Sequence, residues 1–86
     1  PIPVETYVRS IHERIVNEKQ LKFSQLTEGD THPQVIVVTF LAILELYKRS
    51  MVTVHQQESF GDIEIDYIEG SGVLLLDDDD ALTSVV

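Results

Sequence analysis

The chain begins with apolar residues at the spacing of an amphipathic helix. They fall on one stripe, while the charged residues of the same segment fall elsewhere. The stripe consists of Val4, Val8, Ile11 and Ile15. This pattern predicts a first helix that ends near Lys19. A short alternating strand is expected at residues 21–23, and a brief second helix is expected to begin at Ser24 and stop at Gly29.

A longer apolar segment predicts the third and longest helix. Pro33 suits its first turn, because the N–H that proline lacks would have no partner there. The segment runs to about Arg49, and this length favours a helix in spite of the β-branched run at residues 35–38. One uninterrupted apolar stripe is predicted to face the core, and it consists of Ile36, Phe40, Ile43 and Tyr47.

Two further segments alternate between apolar and polar residues with the period of half-buried strands. Their apolar positions are Val52 and Val54 in the first segment, and Ile63, Ile65 and Tyr67 in the second. The connection at residues 57–61 contains turn-forming residues and is predicted to be a wing. The order of elements predicts an α+β winged helix with three helices, a small antiparallel sheet and a wing.

Acidic residues are concentrated in the second half of the chain. Fifteen acidic residues against six basic residues give a formal charge of −9, and no lysine or arginine follows Met51. The run from Asp77 to Asp80 is wholly acidic. We therefore expect residues 1–68 to form the winged-helix domain and residues 69–86 to form an acidic, flexible tail.

The charge pattern argues against DNA recognition. A winged helix that reads DNA carries basic or amide side chains on the first turns of its third helix, and basic residues in its wing. This chain offers only Gln34 on that helix, and its wing carries Glu58 and Asp62. Repulsion from phosphate predicts no direct, specific nucleic-acid binding. A DNA-binding transcription regulator remains an alternative on the fold alone.

The sequence contains no pattern that indicates catalysis or a cofactor. Cysteine is absent, which suits a reducing cytosol. His12, His32 and His55 share no metal-ligand spacing and are predicted to lie on the surface. The longest apolar stretch, residues 35–46, is shorter than the roughly 20 residues that cross a bilayer. We expect a protein that is not an enzyme, binds no metal or cofactor and has no membrane segment.

The side of the third helix opposite the predicted core stripe is also rich in apolar residues. It combines Val37, Val38, Leu41 and Leu44 with Glu45, Lys48 and Arg49. Several large apolar side chains on an exposed helix face predict a surface that a partner covers. Two alternatives stay open. The helix could be buried on all sides, or the same face could form a homodimer.

Two segments resemble the C-terminal end of ScpA-type kleisins. Residues 39–46 read TFLAILEL, and residues 52–63 read VTVHQQESFGDI. The family pattern is a TFLALLEL helix, a strand that closes on glutamine, and a wing with Phe-Gly-Asp-Ile. The resemblance implies a domain that docks on the ATPase head of an SMC protein and closes the condensin-like ring used in chromosome condensation and segregation. It also implies a cytoplasmic, nucleoid-associated location, and binding of ScpB through a region absent from this chain.

The resemblance also implies which residues contact the SMC head. The matching positions are Phe40, Leu41, Leu44, Glu45, Ile63 and Ile65, and Val37 and Lys48 lie on the same predicted outer face. Ile63 and Ile65 suit the core at least as well. Gln56, Phe60 and Gly61 match the family pattern too, with structural roles preferred, since Gly61 permits a tight turn and Phe60 can pin the wing.

Overall fold

The computed structural model describes residues 3–30 and 32–76, in which three helices accompany a three-stranded sheet. In chain order these are α1 (Val4–Glu18), β1 (Gln20–Lys22), α2 (Phe23–Leu26), α3 (Pro33–Lys48), β2 (Val52–Gln56) and β3 (Ile63–Tyr67). The sheet is antiparallel, and β3 lies between β1 and β2. Residues 57–62 connect β2 to β3 as the wing. The predicted winged-helix fold is confirmed.

The core lies between α1, α3 and one face of the sheet. α1 buries the predicted stripe of Val4, Val8, Ile11 and Ile15. Ile65 at the centre of β3 is completely buried, and it is the register partner of Leu21 in β1 and of Val54 in β2. Apolar side chains buried in this way each contribute roughly 1.5–3 kcal/mol to folding. Leu21 in β1 and Val52 in β2 are buried just as deeply, so each strand of the sheet is held to the helices by one fully buried side chain.

The side of α3 that faces the core differs from the prediction. Its buried residues are Val38, Thr39, Ala42, Ile43 and Leu46. Only Ile43 of the predicted core stripe is buried, whereas Ile36, Phe40 and Tyr47 are exposed. Val38, predicted to face solvent, is in the core. The small buried side chains of Thr39 and Ala42 let α3 lie close to the core, whereas aromatic side chains at these positions would hold the helix farther away.

Thr39 offers a test of this packing, because its hydroxyl is buried without a hydrogen-bond partner among the described residues. We expect Thr39→Val to raise the free energy of unfolding by about 1 kcal/mol, since valine keeps the shape and removes the unpaired polar group. Urea denaturation measures the change. Thr39→Ala is the matched control, because it removes the hydroxyl but also leaves a cavity. A Thr39→Val protein less stable than wild type would show that the hydroxyl has a partner.

α3 ends in a backbone arrangement that directs the chain into β2. Ser50 adopts a left-handed φ of 59°. Its N–H donates to the carbonyl of Tyr47, and the N–H of Met51 donates to the carbonyl of Leu46, each at 3.0 Å. This is the Schellman pattern, in which the last helical carbonyls find partners in the turn that follows. Met51 is buried, so this turn also anchors the start of β2 to the core.

Residues 69–76 lie against the domain. Leu74 and Leu76 pack on the core, while Val73 remains largely exposed. The guanidinium of Arg49 donates a hydrogen bond of 2.8 Å to the carbonyl oxygen of Leu75. These contacts connect the 69–76 segment to the C-terminal end of α3.

Ending the chain at Ile68 tests whether the 69–76 segment belongs to the folded unit. We expect the free energy of unfolding in urea to fall by about 2 kcal/mol, because two half-buried leucine side chains are lost. A chain that ends at Leu76 is the matched control and should keep the full stability. Equal stability of the two shortened chains would place the domain boundary at residue 68. The boundary expected there from the sequence stays a prediction. Residues 77–86 of the predicted tail lie outside the described residues.

Candidate functional site

The outer side of α3 is an apolar surface open to solvent. Its residues are Ile36, Val37, Phe40, Leu44 and Tyr47, with exposed fractions between 39% and 55%. We call this set the α3 surface. With 3.6 residues per turn it falls within an arc of about 100° on the helix. Single exposed apolar residues are ordinary, but a contiguous apolar surface marks a place that another molecule covers.

The structure divides the predicted contact residues into exposed and buried groups. Val37, Phe40 and Leu44 belong to the α3 surface, and the Lys48 side chain beside them is 75% exposed. Leu41 is half-buried and lies just beyond Lys48 at the same margin of that helix face. The role of these residues in binding stays a prediction.

The two isoleucines of β3 differ from each other. Ile65 has no exposed surface, so the position predicted as a possible contact belongs to the core. Ile63 is half-buried, although it lies on the same face of the strand two residues earlier. The alternation of β3 identified the inward face correctly, but it could not tell how deeply each side chain is covered.

Glu45 is held by its own helix. Its side chain is only 12% exposed, and one carboxylate oxygen lies 2.6 Å from Nε of Arg49. Lys48 Nζ lies 3.9 Å from the other oxygen. Because Arg49 also donates to the Leu75 carbonyl, Glu45 orients the side chain that holds the 69–76 segment. This structural role explains a carboxylate at position 45 without any contact to another protein.

α2 extends the α3 surface toward the wing. The ring of Phe23 meets the ring of Phe40 edge to face, with 6.2 Å between the ring centroids and 73° between the ring planes. The next residue, Ser24, donates its backbone N–H to Asp62 Oδ1 at 3.2 Å and its hydroxyl hydrogen to Asp62 Oδ2. The Ser24 hydroxyl is the main reason that the pKa of Asp62 lies below its ordinary value. Sequence reasoning missed these contacts, because neither pair shares a local pattern.

Phe60 lies at the wing with its entire side chain in solvent, at an exposed fraction of 104%. The prediction that it pins the wing is therefore wrong. The turn itself involves Gly61, whose N–H donates a hydrogen bond of 2.9 Å to the carbonyl oxygen of Glu58. A Cβ at Gly61 would lie only 3.3 Å from that same oxygen, so the wing closes more tightly than most side chains allow.

The histidines occupy three different environments. His55 Nε2 on the solvent face of the sheet lies 2.9 Å from Asp66 Oδ2, and His32 Nδ1 lies 2.8 Å from Asp30 Oδ1. His12 is half-buried, contrary to the prediction of a surface position, and its burial lowers its pKa. Within the part of the chain that the structure describes, no group of three or more His, Asp or Glu side chains could hold a metal ion.

These observations define a winged-helix domain whose third helix carries an apolar surface where a DNA reader carries basic groups. Among residues 3–30 and 32–76, no helix has the length and apolar character that crossing a membrane requires. The sequence model of the family described as "Segregation and condensation protein ScpA" matches residues 5–68. The chain belongs to the ScpA family, as the resemblance of its third helix and wing implied.

Individual relatives agree with this assignment. Segregation and condensation protein A of Listeria welshimeri serovar 6b is 41% identical over 73 residues, which cover 83% of this chain and 28% of that protein. The protein of the same name from Listeria monocytogenes strain EGD-e is 43% identical over 74 residues, with the same coverage. This chain thus spans little more than a quarter of the length of these relatives.

A solved structure is similar in fold. It is described as the crystal structure of the SmcHead bound to the C-winged helix domain of ScpA. The two chains are 31% identical with a TM-score of 0.64, and the match covers 76% of this chain and 99% of the solved one. The likeness therefore extends over the whole of that winged-helix domain.

Proposed function

We propose that this domain docks on the ATPase head of an SMC protein through the α3 surface. The observation that carries the proposal is the contiguous apolar arc on the outer side of the longest helix. The similar solved domain supports it, since that domain is bound to an SmcHead in its crystal. In this function the domain joins one SMC head to the rest of a kleisin and so helps to close a condensin-like ring.

The docking domain itself performs no catalysis in this proposal. ATP is bound by the SMC protein, and the chain contributes shape and apolar contact area. ScpB is expected to bind a part of ScpA outside this chain, which covers 28% of its first curated relatives. A ring of this kind acts on the chromosome, so we propose a cytoplasmic, nucleoid-associated location.

The free-energy cost of association means that a stable complex needs an apolar contact surface at least as large as the α3 surface. Complete burial of a large apolar side chain contributes roughly 1.5–3 kcal/mol, and the side chains of the α3 surface are about half-exposed, so each adds roughly 1 kcal/mol. Association costs about 4–15 kcal/mol in lost translational and rotational freedom. The α3 surface alone approaches only the lower part of this range. Further contacts from neighbouring elements are therefore expected in a stable complex.

Charge separates this function from DNA binding. The formal charge of −9 and the acidic wing residues Glu58 and Asp62 repel phosphate. Lys48 is the cationic side chain next to the α3 surface, and a single cation does not provide the phosphate contacts that a duplex reader uses. A protein surface is the better match for apolar side chains in this arrangement.

Co-elution with a purified SMC head fragment tests the proposal. We expect a stable complex on size exclusion, no shift of duplex DNA by the chain alone at low salt, and a monomer in analytical ultracentrifugation. A chain that shifts duplex DNA tightly and does not co-elute with the head would favour the transcription-regulator alternative. A stable homodimer closed over the α3 surface would instead show that a second copy of the chain covers it.

A further inference from the structure

Phe60 at the tip of the wing is the most exposed large apolar side chain that the structure describes. Aromatic residues contribute much of the energy at protein interfaces when they enter a pocket of the partner. An aromatic ring left entirely in water does nothing for the stability of the domain. Its position therefore calls for an explanation outside the fold.

The backbone on both sides of Phe60 is held in place. The N–H of Gly61 donates a hydrogen bond of 2.9 Å to the Glu58 carbonyl oxygen. Nε2 of Gln56 donates a hydrogen bond of 2.6 Å to the Gly61 carbonyl oxygen. Gly61 and Glu58 approach so closely that a Cβ at position 61 would lie 3.3 Å from the Glu58 carbonyl oxygen. A rigid turn that presents an apolar side chain loses less conformational entropy on binding than a flexible one.

The base of the wing is tied to α2 by Asp62. Its carboxylate accepts hydrogen bonds from the backbone N–H and hydroxyl of Ser24 and from the N–H of Ile63. These hydrogen bonds, above all the one from the Ser24 hydroxyl, lower the pKa of Asp62, as expected for a charged carboxylate that accepts strong hydrogen bonds. The wing is therefore fixed relative to the helices as well as within itself.

The same contacts connect the wing to the α3 surface. Phe40 touches Phe23, the neighbouring Ser24 holds Asp62, and Asp62 is two residues from Phe60. A partner that covers the α3 surface thus has the α2 edge and the wing next to it. Glu58 lies exposed beside Phe60, so the partner surface around the ring is expected to be basic.

We propose that Phe60 is a second anchor of the docking surface and inserts into an apolar pocket with a basic rim on the same SMC head that covers the α3 surface. This inference rests on the proposed function. Phe60 supplies contact area that the half-exposed α3 residues lack, and Asp62 is the positioning residue that holds the wing at the correct angle.

Titration calorimetry of Phe60→Ala against the SMC head fragment tests the anchor. We expect affinity to fall by about 10- to 50-fold, as for a buried aromatic anchor. The urea unfolding midpoint should not change, because the wild-type side chain contacts only solvent. Val73→Ala is the matched control, since Val73 is also largely exposed but lies in the 69–76 segment, and it should bind as wild type does.

The outcomes separate this inference from the proposed function. If Phe60→Ala binds as tightly as wild type while Leu44→Arg does not bind, Phe60 is not an anchor and docking through α3 stands. If neither variant weakens binding, or the wild-type chain does not bind the head, both the inference and the proposed function are overturned.

A double-mutant cycle tests the role of Asp62. We expect Asp62→Ala to weaken binding by about fivefold in the wild-type background and to have no further effect in Phe60→Ala, because Asp62 acts by positioning Phe60. Asp62→Asn keeps an oxygen acceptor for Ser24 and should restore most of the affinity. Equal losses from Asp62→Ala in both backgrounds would show that Asp62 does not act through Phe60.

Discussion

Leu44→Arg is expected to weaken binding to an SMC head by about 100-fold, which corresponds to roughly 2.7 kcal/mol. Leu44 lies in the interior of the apolar arc, with Phe40 and Val37 on either side of it on the helix. Arginine at this position removes apolar contact area. It also places a charge on a surface from which binding would exclude water. Calorimetry with the head fragment measures the change, and co-elution should be lost.

The control for this substitution is the fold of the free domain. Leu44 is 42% exposed, so arginine at this position can extend into solvent, and the urea midpoint should change little. Val73→Arg places the same charge on an exposed apolar position away from α3 and should leave binding intact. Unchanged co-elution of Leu44→Arg would mean that the head does not use this face.

Ile65→Ala is expected to lower the free energy of unfolding by about 3–4 kcal/mol. The side chain is completely buried at the centre of the sheet, where β3 pairs with both neighbouring strands. Deletion of such a side chain removes apolar burial and leaves a cavity. Because small domains are stable by only about 5–15 kcal/mol, this loss is a large part of the total. Urea denaturation followed by circular dichroism measures it.

Ile63→Ala is the matched control for this second prediction. Ile63 is on the same face of the same strand but only half-buried, so we expect a loss of about 1 kcal/mol. If Ile65→Ala left stability unchanged and reduced affinity for the head, Ile65 would be a contact residue.

Local pattern was sufficient for the elements and their order. α1 has a single apolar stripe with charged residues around it, so only one face could be buried, and the structure buries that face. The alternation in residues 63–67 has the same property for a strand, since one set of side chains is apolar and the other is acidic. The turn-forming residues between the two strands then leave a hairpin as the natural connection.

The orientation of α3 could not be predicted in this way. Its apolar residues continue almost all the way around the helix, so periodicity offers two possible faces of similar hydrophobicity. Tertiary packing decided between them, because the small buried side chains of Thr39 and Ala42 let α3 lie close to the core. The aromatic residues Phe40 and Tyr47 were left outside, where they form part of the α3 surface.

The sequence by itself determined the element order, the buried stripe of α1 and the family, because these depend on spacing between near neighbours in the chain. Only the tertiary structure decided which side of α3 faces solvent, that Phe60 stands free, and that Asp62 holds the wing to Ser24. Each of these depends on residues distant in sequence, whose approach is set by how the helices and sheet pack together.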